Sequence, residues 1–145
     1  MGPVRPRLLA PSPTTPLVSL SLLVLRGWFG ILMLNFHGLA KLQDFSALSQ
    51  RFSDPLGVGQ PLSLALAIGA ELVCAGLIAA GLATRLAAAV LVVNMATAFV
   101  TAHGARLSGQ GNGELAFLYL GAFLTLVVAG AGRYSLDQVL FGTRR

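Results

Sequence analysis

The sequence predicts an all-α integral membrane protein, a four-helix bundle with both termini in the cytoplasm. Three observations carry this reading. Only 10% of the 145 residues are charged and 55% are hydrophobic, whereas a soluble domain carries about 25% charge; so few charges cannot give a core a solvated surface. Four apolar stretches, each near the ~20 residues that cross a ~30 Å hydrocarbon layer as a helix, fill most of the chain. The basic residues stand singly between those stretches. Such scatter orients a membrane protein and does not form a nucleic-acid patch, even though the pI is near 10.7 and the mean hydropathy is +0.78.

Residues 1–16, "MGPVRPRLLAPSPTTP", come first. Repeated proline removes backbone donors and stops a helix from continuing, so this segment is expected to be a disordered cytoplasmic tail. The first helix is predicted over about 17–40. This stretch is too long for a signal h-region, contains Arg26 and has no small-x-small cleavage site after it, so it is not read as a leader. Further helices are predicted over about 61–81, 85–103 and 114–131, giving a membrane domain over 17–133. Helices are required because lipid offers no partner to a bare backbone, and the stretches lack the alternation of barrel strands. Residues 134–145 read as a short amphipathic and basic end, with Ser135 capping a helix through Phe141 and Arg144 and Arg145 near anionic lipid.

Orientation follows from the lysines and arginines. The tail, the "GLATR" turn and the C-terminal end hold Arg5, Arg7, Arg85, Arg133, Arg144 and Arg145. The other two loops hold Lys41, Arg51 and Arg106, offset by Asp44 and Asp54. The positive-inside rule puts the first group in the cytoplasm.

The polar residues inside the apolar stretches are the functional candidates. Arg26, Glu71 and Asn94 each fall near the middle of a predicted helix, where an unpaired charge is costly and so pairs or lines a cavity. An Arg26–Glu71 ion pair satisfies both groups, and a ligand site built from the same charges is compatible with it. At 3.6 residues per turn, Arg26, Gly30, His37 and Lys41 share one face, which is expected to point into the bundle toward Glu71 and Glu114. Asn94, Thr97 and Thr101 make a second polar stripe. Thr97, Thr101 and His103 are the weaker candidates, since His103 falls opposite Asn94 on an ideal helix. No metal set is indicated, and the sequence has no motif for haem, flavin, nicotinamide, iron–sulfur or phosphate-loop binding. The lone Cys74 excludes an intrachain disulfide or a Cys-x-x-Cys pair.

Three segments, "LRGWFGILMLNFHGLAKLQDF", "GAELVCAGLIAAGLATRLAA" and "GNGELAFLYLGAFLTLVVAGAGRYSLD", resemble in order the signatures of the DoxX family. The resemblance runs from about Leu20 to Leu140 and matches at Arg26, His37, Lys41, Glu71, Arg85, Glu114, Arg133 and Asp137. It implies a compact four-helix bundle in the cytoplasmic membrane of a bacterium or archaeon. It also implies association with redox enzymes, such as subunits of thiosulfate:quinone oxidoreductase or complexes with superoxide dismutase and a sulfurtransferase-like protein. The leading expectation is a redox-associated subunit that binds a quinone in the outer half of the bundle and works with soluble protein partners. There, His37 or Lys41 would hold a carbonyl oxygen, and Glu71 or Glu114 would handle the proton. Two alternatives stay open: a non-enzymatic scaffold, and a small proton-coupled transporter gated at the midplane. The aliphatic exterior suits lipid or further copies of the chain.

Overall fold

The computed structural model describes residues 14–142. The expected tail over 1–13, with Arg5 and Arg7, and the final Arg144 and Arg145 lie outside the described residues. Among the described residues every regular element is helical.

Helix α1 spans Pro16–Gln43, 28 residues. Thr15 caps it, its hydroxyl accepting from the Val18 amide at 3.3 Å, and Pro16 occupies the first turn, where its missing N–H costs nothing. The helix therefore starts within the stretch expected to be tail, and it continues past residue 40. After a short α2, Phe45–Leu48, an irregular loop leads to α3, Gln60–Ala80. Helix α3 stops at Gly81, whose φ of +74° is a left-handed conformation open to glycine. Helix α4, Thr84–Thr101, then runs back along α3. Helix α5, Glu114–Ala129, ends at Gly130 with φ 79°, and α6, Leu136–Phe141, is capped by the Ser135 hydroxyl, which accepts from the Gln138 amide.

Three of these helices, α1, α3 and α4, are long and apolar enough to cross a membrane, and α5 is a shorter apolar helix of 16 residues. They form one bundle around Met33, Ile78, Leu91, Phe123 and Leu126, all at 0% exposure. Large apolar side chains also cover the outside: Val24, Trp28, Val73, Val93 and Val128 are each at least 60% exposed. A continuous apolar exterior of this extent would be a liability in water and is the surface a bilayer covers. The protein is a helical membrane bundle in contact with lipid.

One end of the bundle carries the Gly81 turn and α6 and is called the termini end. The other carries the loops at 44–59 and 102–113 and is called the loop end. Two glycines let α1 and α3 meet closely. A Cβ on Gly30 would lie 2.9 Å from the Ala75 carbonyl oxygen. One on Gly38 would lie 2.8 Å from Leu72 Cδ2 and 3.1 Å from the Glu71 carbonyl carbon.

Candidate functional site

The two long helices that meet at these glycines both leave α geometry at the same height. α1 is π-helical over Leu34–Leu39 and α3 over Ala70–Cys74, and the two segments pack against each other. A π turn inserts an extra residue and rotates the rest of the helix beyond it, and it occurs often at functional sites. Here it sets His37 in one segment and Glu71 in the other, with Gly38 giving the close approach between them.

Glu71 is 2% exposed. Lys41, two residues beyond the π segment of α1, donates to both of its carboxylate oxygens, at 2.7 Å to Oε1 and 2.5 Å to Oε2. From α4 the Asn94 amide donates to the same Oε1 at 3.1 Å. Three helices therefore converge on one buried carboxylate. The pairing expected from sequence was different: Arg26 and Glu71 do not pair. Arg26 lies level with Ala79, eight residues further along α3 than Glu71, which at 1.5 Å per residue is about 12 Å along the helix axis. The cause is the length of α1. A helix extending to Gln43 places Lys41 opposite Glu71 and leaves Arg26 toward the termini end.

Arg26 has its own partners there. Only 2% exposed, it donates through Nη1 to the Ala79 carbonyl at 2.8 Å and the Ile78 carbonyl at 3.5 Å, and through Nη2 to the Tyr134 carbonyl. Asp137 supplies the opposing charge. Its carboxylate also caps α4 from a distance, accepting from the Ala83 and Thr84 amides at 2.6 and 3.0 Å.

Above Glu71, toward the loop end, the bundle opens into a cavity of about 680 Å³. His37, Lys41, Glu71, Asn94, Thr97, Thr101 and His103 all line it. Its remaining wall is mostly apolar, with Leu66, Ala67, Ala70, Val90, Val93 and Met95 among the lining residues. Two expectations are corrected. Glu114 is exposed at the start of α5 and does not line the cavity. His103 does line it alongside Asn94, because α4 ends at Thr101 and the turn after it replaces the ideal-helix projection; its Nδ1 bonds the Gly111 carbonyl at 3.0 Å.

Sequence reasoning missed two parts of the site. Tyr119 of α5, 4% exposed, lines the cavity with its ring edge-on to His37 at 5.2 Å and to Phe29 at 5.5 Å. The one signal for it was a phenol among the apolar residues of α5. The second is the loop segment Phe52, Ser53, Pro55 and Leu56, which lines the loop end of the cavity. Asp54 anchors it: Oδ1 accepts from the Ser63 hydroxyl at 2.6 Å and the Val58 amide at 3.1 Å, and Oδ2 from the Gly59 amide at 2.8 Å. These bonds hold the Asp54 carboxyl below its ordinary pKa, Ser63 contributing most. The "DPLGVG" string was the available signal, since Asp before Pro and Gly binds its own backbone in turns. Among the described residues no group of three His, Cys, Asp or Glu side chains is placed to hold a metal ion.

The arrangement defines a class: a membrane-embedded four-helix bundle whose half-buried cavity ends where Lys41 and Asn94 meet the buried Glu71 carboxylate. The DoxX family model matches residues 21–104, the stretch that supplies Arg26, His37, Lys41, Glu71, Asn94, Thr97, Thr101 and His103. The chain is also 38% identical over 117 residues to an uncharacterized protein of Haemophilus influenzae, covering 75% of this chain and 83% of that one. The protein belongs to the DoxX family. No solved structure matches it significantly.

Proposed function

We propose that the protein is a redox-associated subunit of the bacterial cytoplasmic membrane that binds the head group of a quinone in the cavity above Glu71. The observation that carries this reading is the cavity itself: a mostly apolar slot of about 680 Å³ with the charged, hydrogen-bonded network of Lys41, Glu71 and Asn94 at its deep end. A quinone needs an apolar enclosure for ring and tail, and donors for the oxygens that gain charge on reduction. The Lys41 ammonium has three N–H donors and gives two bonds to Glu71. One donor is left to meet a ligand oxygen beside His37. Glu71 is the proton acceptor within reach. Electrons enter from soluble partner proteins, since the chain has a single cysteine and so no thiol pair to carry them. With the termini end in the cytoplasm, the cavity opens in the outer half of the membrane.

The test is purification in mild detergent followed by mass spectrometry of extracted small molecules, for the wild type, Glu71→Gln and His37→Ala. A quinone carried by the wild type and lost from either variant is the expected result. A second reading, a membrane scaffold, draws on the mutual satisfaction of Lys41, Glu71 and Asn94. It predicts an empty bundle in all three preparations and a stable complex with a protein partner.

A further inference from the structure

The ligand's route into the cavity is set by the packing of α3 and α4. The two helices pack closely along Ala70–Ala80 and far less over Gln60–Gly69. Leu66 on α3 and Val93 on α4 line the cavity and are 52% and 66% exposed. An apolar side chain that lines a cavity and is still more than half exposed stands on its rim. At the loop end the cavity is bordered by Phe52, Ser53, Pro55 and Leu56, in a segment pinned through Asp54 to Ser63 and to the Val58 and Gly59 amides, and by Thr101 and His103.

We infer that the cavity opens sideways into the lipid between the loop-end halves of α3 and α4, and that it takes a tail-bearing amphiphile from the bilayer rather than a water-soluble molecule from the loop end. The head reaches the Lys41–Glu71–Asn94 network and the tail leaves past Leu66 and Val93. The rim fits this occupant. Leu66 and Val93 carry no hydrogen-bonding group and no charge, so nothing on them would guide a polar solute, whereas a hydrocarbon chain crosses them without leaving an apolar medium. The network of Lys41, Glu71 and Asn94 lies at the level of Glu71, eleven residues from Gln60, or about 16 Å along α3. A head group drawn that deep from lipid passes the stripe of Thr101 and Thr97. The identity of the head group rests on the quinone reading; the sideways opening does not.

The chain has one tryptophan, Trp28, which is 66% exposed on the lipid-facing surface, so fluorescence reports one site at a time. The full chain is reconstituted in vesicles of phosphatidylcholine, with and without dibromination of the acyl chains. Trp28 itself marks full lipid contact. In the Trp28→Phe background, Phe123→Trp marks the closed core, where Phe123 is 0% exposed, and Thr97→Trp reports the cavity. Thr101→Trp serves if Thr97→Trp does not fold. The expected result is a loss of fluorescence in brominated vesicles at residue 97 close to that of Trp28 and well above that of Phe123→Trp, with no loss to aqueous iodide. Loss to iodide, or bromine quenching no greater than at residue 123, overturns the inference. A decyl-tailed benzoquinone added to the same vesicles should lower the bromine effect at residue 97 by displacing the lipid chain. If it leaves that effect unchanged, the opening stands and the quinone reading fails.

Discussion

Lys41 closes a loop of 30 residues to hold both carboxylate oxygens of Glu71, at 2.7 and 2.5 Å. The pair is uneven in burial, since the Lys41 side chain is 25% exposed and that of Glu71 is 3%. That difference decides which partner is more dangerous to lose. In Lys41→Met a nearly inaccessible carboxylate keeps only the Asn94 amide, and stranding such a charge costs about 3–5 kcal/mol. In Glu71→Gln the ammonium that remains can reach toward the aqueous boundary on its flexible stem. Thermal unfolding in detergent should therefore show Lys41→Met as the more destabilised variant. The double variant Lys41→Met with Glu71→Gln should recover most of the loss. A double variant whose loss equals the sum of the two singles would show that the pair is not coupled.

The helix contact below this pair depends on Gly30. Alanine there sets a methyl carbon 2.9 Å from the Ala75 carbonyl oxygen and 3.1 Å from the Ala79 nitrogen. Both are backbone atoms, so relief requires the helices to part, at a cost of about 1–3 kcal/mol. Gly27, one turn earlier, has no atom within 4 Å of its virtual Cβ. Gly27→Ala should melt at or above the wild-type temperature and Gly30→Ala clearly below it. Equal melting of the two variants would place the α1–α3 contact elsewhere.

The membrane bundle was legible in the sequence because apolar length and charge scatter are local, additive properties. The set of cavity residues was also legible in good part, because His37, Lys41, Glu71, Asn94, Thr97 and Thr101 are polar in places where lipid penalises polarity. Pairing was not legible. It depends on where α1 ends and on two π segments, Leu34–Leu39 and Ala70–Cys74, which leave no mark in a 3.6-residue projection. An ideal helix also put His103 on the wrong side, because it extended α4 beyond Thr101. Asp137 matched the family signature, but its contact with Ala83 and Thr84 spans more than fifty positions, and one chain alone gives no hint of that.

Asp54 gives the loop end a pH dependence whose sign is fixed. The Ser63 hydroxyl, with the Gly59 and Val58 amides, bonds the ionised carboxylate and holds its folded pKa below the unfolded value. The stabilisation is therefore fully present above the unfolded value, about 3.9, and is lost as pH falls through the lower folded value. The difference in melting temperature between the wild type and Asp54→Ala should be constant from about pH 5 to 7 and shrink below about pH 3.9. A difference that stays flat into acid would mean the charged form is not what the loop binds.

At the termini end, Arg26 and Asp137 tie the C-terminal segment to the bundle. Arg26 serves carbonyls of two separate segments at once, Ala79 on α3 and Tyr134 before α6. Asp137 caps the Ala83 and Thr84 amides, while its own amide donates to the Gly81 carbonyl at 2.8 Å. A planar guanidinium can span two acceptors that a point-charged ammonium cannot, so Arg26→Lys should leave one carbonyl without its donor. Loss of a buried polar partner costs about 1–3 kcal/mol. Asp137→Ala should lose its cap, typically about 0.5–2 kcal/mol, and also leave Arg26 without its opposing charge. Both variants should melt lower and release the segment after Gly130 to limited proteolysis. Their small-molecule content should match the wild type, because these contacts lie about 12 Å from Glu71 along the helix axis. Ligand loss in Arg26→Lys with an unchanged proteolysis pattern would instead make Arg26 part of the binding site.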